Sequence, residues 1–576
     1  MIMEYSELVG ASRECGKLCQ PIASYDGKFI ATVSKATALT ANAVSQQYKL
    51  VIRSSRSLMI KKQLQLPPGF IPKMVKWYKP AAIRLSDEPL DYEIHRIFAA
   101  NDEGEVRIWD LDGMLDVVSN GIDDLKSVVV VRQISWGSNV PIKNVEWGRS
   151  PDEIVVFSDY QVSLAVWSLV GRESVEIYHP KYFTAKGFSF QPDTRHLTIL
   201  SRPVSEDIIS VYGGPLSELE TLSTFGLPDF YDAKGFQWSP DGRWIATYDT
   251  ITNFQVGIYV PLGGLYRVFA MEDIGLGVCD IEWSPAGNLL AVASYDGVIR
   301  CLNTWTFTPT VILKHSTSIN TKERIIFVEQ PVNGKDVHSK YQRVQSYPVC
   351  PPKLRSSLTD APPKTGFSMV EFNNDGTLLA TRFDLIPTTL WIWSLRTMAP
   401  VAVLVHVRKI KSVEWHPQKP HLLLIICANS QAKDDETYDN YDLADVGNEN
   451  DCCLYIWNAE WRNPYALSVP RVGTTFTSVT DAKWIRSIVE VDDRGDDHTL
   501  DEDSELDLRA KLLICDRGSF TVGYLDDEQE PEDEDTKVQR LIDGVQQQEW
   551  AELTTTSYID DTFAIVDQRR RVIKAV

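Results

Sequence analysis

An all-β ring of about nine four-stranded sheets is the fold this 576-residue chain predicts, and three observations predict it. The first is a recurring cassette: an apolar strand ending in an aromatic, a polar turn, then a second apolar strand. It reads Gly235-Phe236-Gln237-Trp238-Ser239-Pro240-Asp241-Gly242 before Trp244-Ile245-Ala246-Thr247. It returns as Asp280-Ile281-Glu282-Trp283-Ser284-Pro285-Ala286-Gly287 before Leu289-Leu290-Ala291-Val292. The second observation is spacing. The aromatic anchors are Trp77, Trp147, Phe190, Trp238, Trp283, Phe372, Trp415 and Trp484, separated by 70, 43, 48, 45, 89, 43 and 69 residues. Four of these gaps lie close to the roughly 40–45 residues of a four-stranded blade, and the three long ones require inserted segments. The third is that runs such as Val298-Ile299-Arg300-Cys301-Leu302 and Leu390-Trp391-Ile392-Trp393 are rich in β-branched and aromatic residues and apolar on both faces. A sheet of that kind needs a neighbour on each side, and a closed ring supplies both, which is a β-propeller.

The elements follow in chain order. A strand near Tyr5 to Val9 is placed to complete the last blade and lock the ring. Lys17 to Val33, with the turn Ser24-Tyr25-Asp26-Gly27, is a first, degenerate copy that brings the count to nine; a ring of seven or eight with irregular blades is the rival. Pro240-Asp241-Gly242, Tyr295-Asp296-Gly297 and Asn374-Asp375-Gly376 are hairpin turns, because Asp and Gly tolerate the positive φ that tight turns need. Trp109-Asp110 closes a strand, and the same slot holds Trp167-Ser168, Trp393-Ser394 and Trp457-Asn458, a degenerate WD-repeat pattern. The Trp residues in these slots read as inter-blade packing. No Gly-His dipeptide opens the repeats, so the polar network usual in such blades is expected to be absent. The propeller is assigned to residues 1–525, with disordered inserts at 315–364, 433–451 and 491–508. Residues 526–576 are an acidic linker and tail that can end in a hairpin.

Composition narrows the function. The net charge of −21 is unevenly spread. The stretches 433–451, 492–508 and 526–535 hold 25 acidic residues against two basic ones, leaving the rest of the chain near +2. Such runs stay solvated, and they would repel nucleic acid while the body offers no basic face. No apolar run reaches 18 residues, so no membrane span is expected. Nine cysteines without a paired spacing fit a reducing compartment better than a disulfide framework.

No catalytic constellation assembles. The chain lacks a G-x-x-x-x-G-K-[ST] phosphate loop and a G-x-S-x-G elbow, and Gly275-Leu276-Gly277 lacks the third glycine and helix of a dinucleotide site. Of nine histidines only His416 and His421 lie close together, with no local cysteine to complete a metal set. The expectation is a non-enzymatic protein with no cofactor and no metal. Candidate partner-binding residues lie in two places. One is the Pro-rich insert, at Tyr341, Arg343, Pro351 and Pro352, since long loops on a rigid ring carry function. The other is the basic cluster Arg569, Arg570 and Arg571 near the end, which reads first as the polar edge of a terminal hairpin, with an interaction motif as the alternative.

The stretch Asp280 to Asn320, with Tyr295-Asp296-Gly297, Trp305, His315 and Ile319-Asn320, and the stretch Phe372 to Trp393, with Leu379-Ala380-Thr381-Arg382 and Ile386-Pro387, resemble the WD-repeat-containing protein eight family of centrosome and spindle-pole proteins. The resemblance covers most of the chain from about Leu18 to Tyr524. It implies a non-enzymatic scaffold of the cytoplasm and cytoskeleton, located at the microtubule-organising centre or spindle pole. The implied partners are a coiled-coil protein that anchors microtubule minus ends and a minus-end-directed kinesin, with tubulin complexes as a third. The rival class is a ribosome- or RNA-associated propeller of the translation-initiation type.

Overall fold

The computed structural model describes residues 3–5, 9–10, 20–40, 43–80, 94–101, 103–111, 141–171, 173–216, 219–271, 276–320, 324–330, 340–345, 348–354, 366–428, 452–467, 479–486, 509–516 and 519–525. These residues form nine sheets. We number the blades by their first strands: Ile22–Ala23, Met74–Trp77, Ile142–Trp147, Phe188–Phe190, Gly235–Trp238, Val278–Trp283, Phe367–Phe372, Ile410–Trp415 and Asp481–Ile485. The first strands of blades 1 to 3, and those of blades 4 to 9, lie against one another in succession, so they form the inner wall. The later strands of each blade step outward.

The cassette explains itself in three dimensions. Seven of the eight anchors are the last residue of a first strand, and Trp484 is the last but one. Each packs against the neighbouring blade, and several indoles also donate to its backbone. Trp77 Nε1 donates to the Ile22 carbonyl at 3.1 Å, Trp415 Nε1 to Glu371 at 3.0 Å and Trp484 Nε1 to Glu414 at 3.1 Å. In the last two the acceptor is the residue just before the previous blade's anchor. By the same relation Ala23 occupies blade 1's anchor slot, which is why that copy looks degenerate. The turn after the anchor is also a repeated device. The side-chain oxygens of Ser24, Ser239, Ser284 and Asn373 each accept from the backbone N–H five residues on, at 2.9 to 3.0 Å. Gly242, at φ +66°, completes the turn where a β-carbon would be strained.

Nine apolar clusters of the described residues alternate with the nine blades, one per interface. The ninth joins Ile30 and Leu58 of blade 1 to Ile485, Leu513 and Phe520 of blade 9, so the ring is closed. The seam is also bonded by Arg486 to the Tyr25 hydroxyl and by the Tyr524 hydroxyl to the Ser55 carbonyl at 3.4 Å. Blade 9 is built from both ends of the chain. Met3–Tyr5 and Val9–Gly10 both pair antiparallel with Ser519–Leu525, with Glu4 opposite Tyr524 and Val9 opposite Phe520. The N-terminal lock expected from the sequence is therefore present.

Two expectations need correction. The segment 315–364, read as a disordered insert, contributes two strands. Ile326–Gln330 pairs in parallel with Ala399–Val405, the outer strand of blade 7, and Lys340–Val344 pairs antiparallel with Ile326–Gln330. Parallel pairing requires a long crossover, and the rest of blade 7 lies between the two partners in the chain. The length of the insert was thus a sign of topology, hidden because each added strand is only five residues long. The second correction concerns polar bonding within the blades. His315 Nε2 and Trp393 Nε1 both meet Thr381 Oγ1, at 2.8 and 3.0 Å, inside the blade 6–7 interface. One interface therefore does carry a His–Thr–Trp network, although no Gly-His dipeptide announces it. The expected inserts 433–451 and 491–508 and the tail 526–576 lie outside the described residues.

Candidate interaction surfaces

The added pair of strands on blade 7 holds two of the sequence-predicted partner residues, and their environments differ. Tyr341 turns inward, 9% exposed, into the cluster between blades 7 and 8, and its hydroxyl meets His406 Nδ1 at 2.7 Å. Glu329, on the other added strand, accepts from the Tyr455 hydroxyl at 2.7 Å and from the Val407 backbone at 2.8 Å. Burial holds His406 at about 4, well below the ordinary imidazole value, so the ring is neutral and bonds as such. These contacts clamp the hairpin onto blade 8. Tyr341 is thus a structural residue, not a surface one. Arg343 is exposed on the outer strand. Further on, Ile319 and Val349 exchange backbone bonds at 2.9 and 3.0 Å, which brings Pro351 into a buried position while Pro352 stays exposed. Arg569, Arg570 and Arg571 lie outside the described residues.

The inner wall carries a constellation the sequence reading did not pick out. The position before each anchor holds, from blade 2 onward, Lys76, Glu146, Ser189, Gln237, Glu282, Glu371, Glu414 and Lys483. Lys76 pairs with Glu146 at 2.6 Å. Gln237 donates to Glu282 at 3.0 Å. Blades 6, 7 and 8 then place three glutamates side by side. Burial raises all three to about 7. Repulsion from Glu282 and Glu414 adds to the burial of Glu371, the middle one. This arc holds protons near neutrality, where ordinary carboxylates are fully ionised. The signal was a Glu directly before an anchor in three consecutive cassettes, legible only once the anchor was known to end an inner strand.

An open cleft of about 450 Å³ lies on the opposite arc, lined by Tyr160, Gln161, His179, Lys181, Tyr182 and Arg202 among others. Its cations are already engaged. Lys181 bonds Asp207 and Asp232 at 2.8 and 2.7 Å, and Arg202 bonds Asp232 at 2.6 Å. Among the described residues no group of three His, Cys, Asp or Glu is arranged to hold a metal ion.

Comparison with known proteins agrees with this architecture. The family model of the WD domain, G-beta repeat, matches residues 274–303, the first three strands of blade 6. The chain is 28% identical over 427 residues to an uncharacterized WD repeat-containing protein of Schizosaccharomyces pombe, covering 73% of this chain and 78% of that one. It is 28% identical over 297 residues to the WD repeat-containing protein WRAP73 of Mus musculus, covering 48% of this chain and 63% of the mouse protein. Among solved structures, the C-terminal WD40 domain of Sif2 covers 81% of this chain and 98% of its own, with 11% identity and a TM-score of 0.39, a likeness too distant to bear on function. Fold and comparisons define the class: a WD-repeat β-propeller of the scaffold type.

Proposed function

We propose that this protein is a non-enzymatic scaffold that anchors microtubule minus ends at a spindle pole or centrosome. In this reading it works with a coiled-coil anchoring protein and a minus-end-directed kinesin. The observation that carries the proposal is where the family-like residues fall. Ile319 and Ile386, more than 60 residues apart in sequence, are both fully buried in the same cluster between blades 6 and 7. That junction is where the added hairpin joins the ring. The resemblance to spindle-pole WD-repeat proteins therefore describes a built feature of the fold and not a turn shared by every propeller. The similarity to WRAP73 supports the same grouping. Arg343 and Pro352, exposed around the hairpin, are the contact residues we assign to the partner.

The test is affinity purification of the tagged full-length protein, with partners identified by mass spectrometry and the tag imaged in dividing cells. Recovery of a coiled-coil anchoring protein and a minus-end kinesin, with signal at the poles, supports the proposal. Recovery of ribosomal subunits with diffuse cytoplasmic signal refutes it in favour of the translation-type reading.

A further inference from the structure

The outer edge of blade 5 differs from every other described outer edge. Its last strand, Leu265–Ala270, pairs on its inner side with Gln255–Tyr259. Among the described residues nothing pairs with its outer side. Open edges are normally blunted by charge, proline, shortness or cover. The outer strand of blade 1 carries two lysines and that of blade 6 a proline and a lysine; that of blade 8 is two residues long, and blade 7 is covered by its hairpin. The strand Leu265–Ala270 has one charge, Arg267, as do the outer strands of blades 3 and 4. It turns outward Leu265 at 47% exposure, Tyr266 at 51% and Val268 at 36%, and no other described outer strand exposes three large apolar residues.

An exposed aromatic pair stands at the end of this edge. Trp305 is 86% exposed on a hairpin turn of blade 6. The turn is held by Asn303, whose side-chain oxygen accepts from the Trp305 and Thr306 backbone N–H groups at 3.2 and 2.8 Å. The Tyr266 hydroxyl donates to the Trp305 carbonyl at 3.1 Å, and the Tyr266 ring packs on Trp244 with centroids 4.5 Å apart. An exposed Trp on a hydrogen-bonded turn, set beside an exposed Tyr, is the composition of a binding hot spot.

We infer that the outer edge of blade 5 receives an extended segment of a partner polypeptide as an additional strand. That segment is apolar at alternate positions, carries a carboxylate opposite Arg267, and covers Trp305 at one end. The chain itself shows the mode: on blade 7, Ile326, Phe327 and Val328 add to the outer edge opposite Val403, Leu404 and Val405. Backbone bonds then supply affinity and side-chain pockets specificity. A second copy of this edge is a poor occupant, because the strand holds no carboxylate and two copies would bring Arg267 toward its own counterpart.

The experiment replaces Leu265 by photo-reactive benzoylphenylalanine in the full-length protein, in cells of the source organism, and maps the cross-linked segment by mass spectrometry. A synthetic peptide of that segment is then added to purified full-length protein and amide hydrogen exchange is followed. The expected result is one acidic-apolar segment of another protein that slows exchange in residues 265–270. Peptide affinity should fall at least tenfold in Trp305→Ala and in Val268→Lys, with melting temperature unchanged in Trp305→Ala because that side chain lies on the surface. A cross-link to a second copy overturns the inference. So does a helical segment that leaves the amides of 265–270 unprotected, or no cross-link at all. None of these results depends on whether the protein sits at a spindle pole.

Discussion

Replacing Glu371 by Gln should stabilise the ring at pH 8 and leave it nearly unchanged at pH 5. Glu371 sits between Glu282 and Glu414 on the inner wall, and burial and repulsion raise its carboxyl to about 7. The unfolded chain releases the same proton near 4.3. The folded state therefore holds more protons between those values, and stability falls as pH rises through that window. A shift of this size corresponds to at most about 4 kcal/mol. Because Glu371 is only partly buried, about 1–2 kcal/mol is the expectation. With an unfolding entropy of roughly 2.1 cal/mol/K per residue, the whole chain loses about 1.2 kcal/mol of stability per degree at its midpoint. Glu371→Gln should then raise the melting temperature by about 1–2 °C at pH 8, and by much less at pH 5. The assay is differential scanning calorimetry of both proteins at the two pH values. His315 and His406, which burial lowers to about 3 and about 4, contribute the opposite slope in acid. They do so equally in both proteins, so the difference between the two isolates the glutamate. An equal shift at both pH values, or a larger one at pH 5, would show that the three carboxylates are not coupled as described.

Other perturbations probe the seam and the hairpin. Deleting residues 1–10 removes both strands that complete blade 9 and should lower the melting temperature by several degrees in calorimetry; an unchanged midpoint would mean the N-terminal pairing contributes nothing. Gly27→Ala would place a β-carbon 1.7 Å from the Arg486 carbonyl oxygen at a residue with φ +72°. Blade 1 must then part from blade 9, so limited proteolysis should cut near the seam at least tenfold faster than in wild type. Tyr341→Phe strips a hydroxyl from buried His406 and leaves the Nδ1 atom unpaired, costing about 1–3 kcal/mol in urea unfolding. Arg343→Ala on the same strand changes an exposed side chain and should stay within about 0.5 kcal/mol of wild type.

The ring was legible because its determinants are local. In the clearest cassettes an anchor, a Ser or Asn cap and a positive-φ Gly lie within about ten residues, so each of those shows its whole logic in one line of sequence. The N-terminal lock was legible for another reason: a last blade short of a strand exposes unpaired backbone, and the strand-like run near Tyr5 to Val9 can cover it. Where determinants are distant, reading failed. The acceptor that identifies Ala23 as an anchor slot is known only from Trp77 of the next blade. His315 meets Thr381 across 66 residues with no flanking motif. The parallel strand Ile326–Gln330 is set by Ala399–Val405, beyond an intervening hairpin. Tyr341 and Arg343 looked alike in a Pro-rich stretch and lie two apart on one strand, yet only Tyr341 reaches the cluster between blades 7 and 8. Trp305, a candidate contact in space, looked in sequence like any other tryptophan of the repeat.

Because the final blade unites Met3–Tyr5 and Val9–Gly10 with Ser519–Leu525, its pairing spans more than 500 residues. During synthesis the opening strands emerge first and wait, unpaired, for a partner made last. Such long-range closure is slow to find, and meanwhile an apolar edge is open to other chains. Nascent or truncated forms of this protein should therefore depend on chaperones and be degraded readily. A nonsense codon even a few residues before Leu525 should behave as a loss of the whole ring, not of its last strand alone.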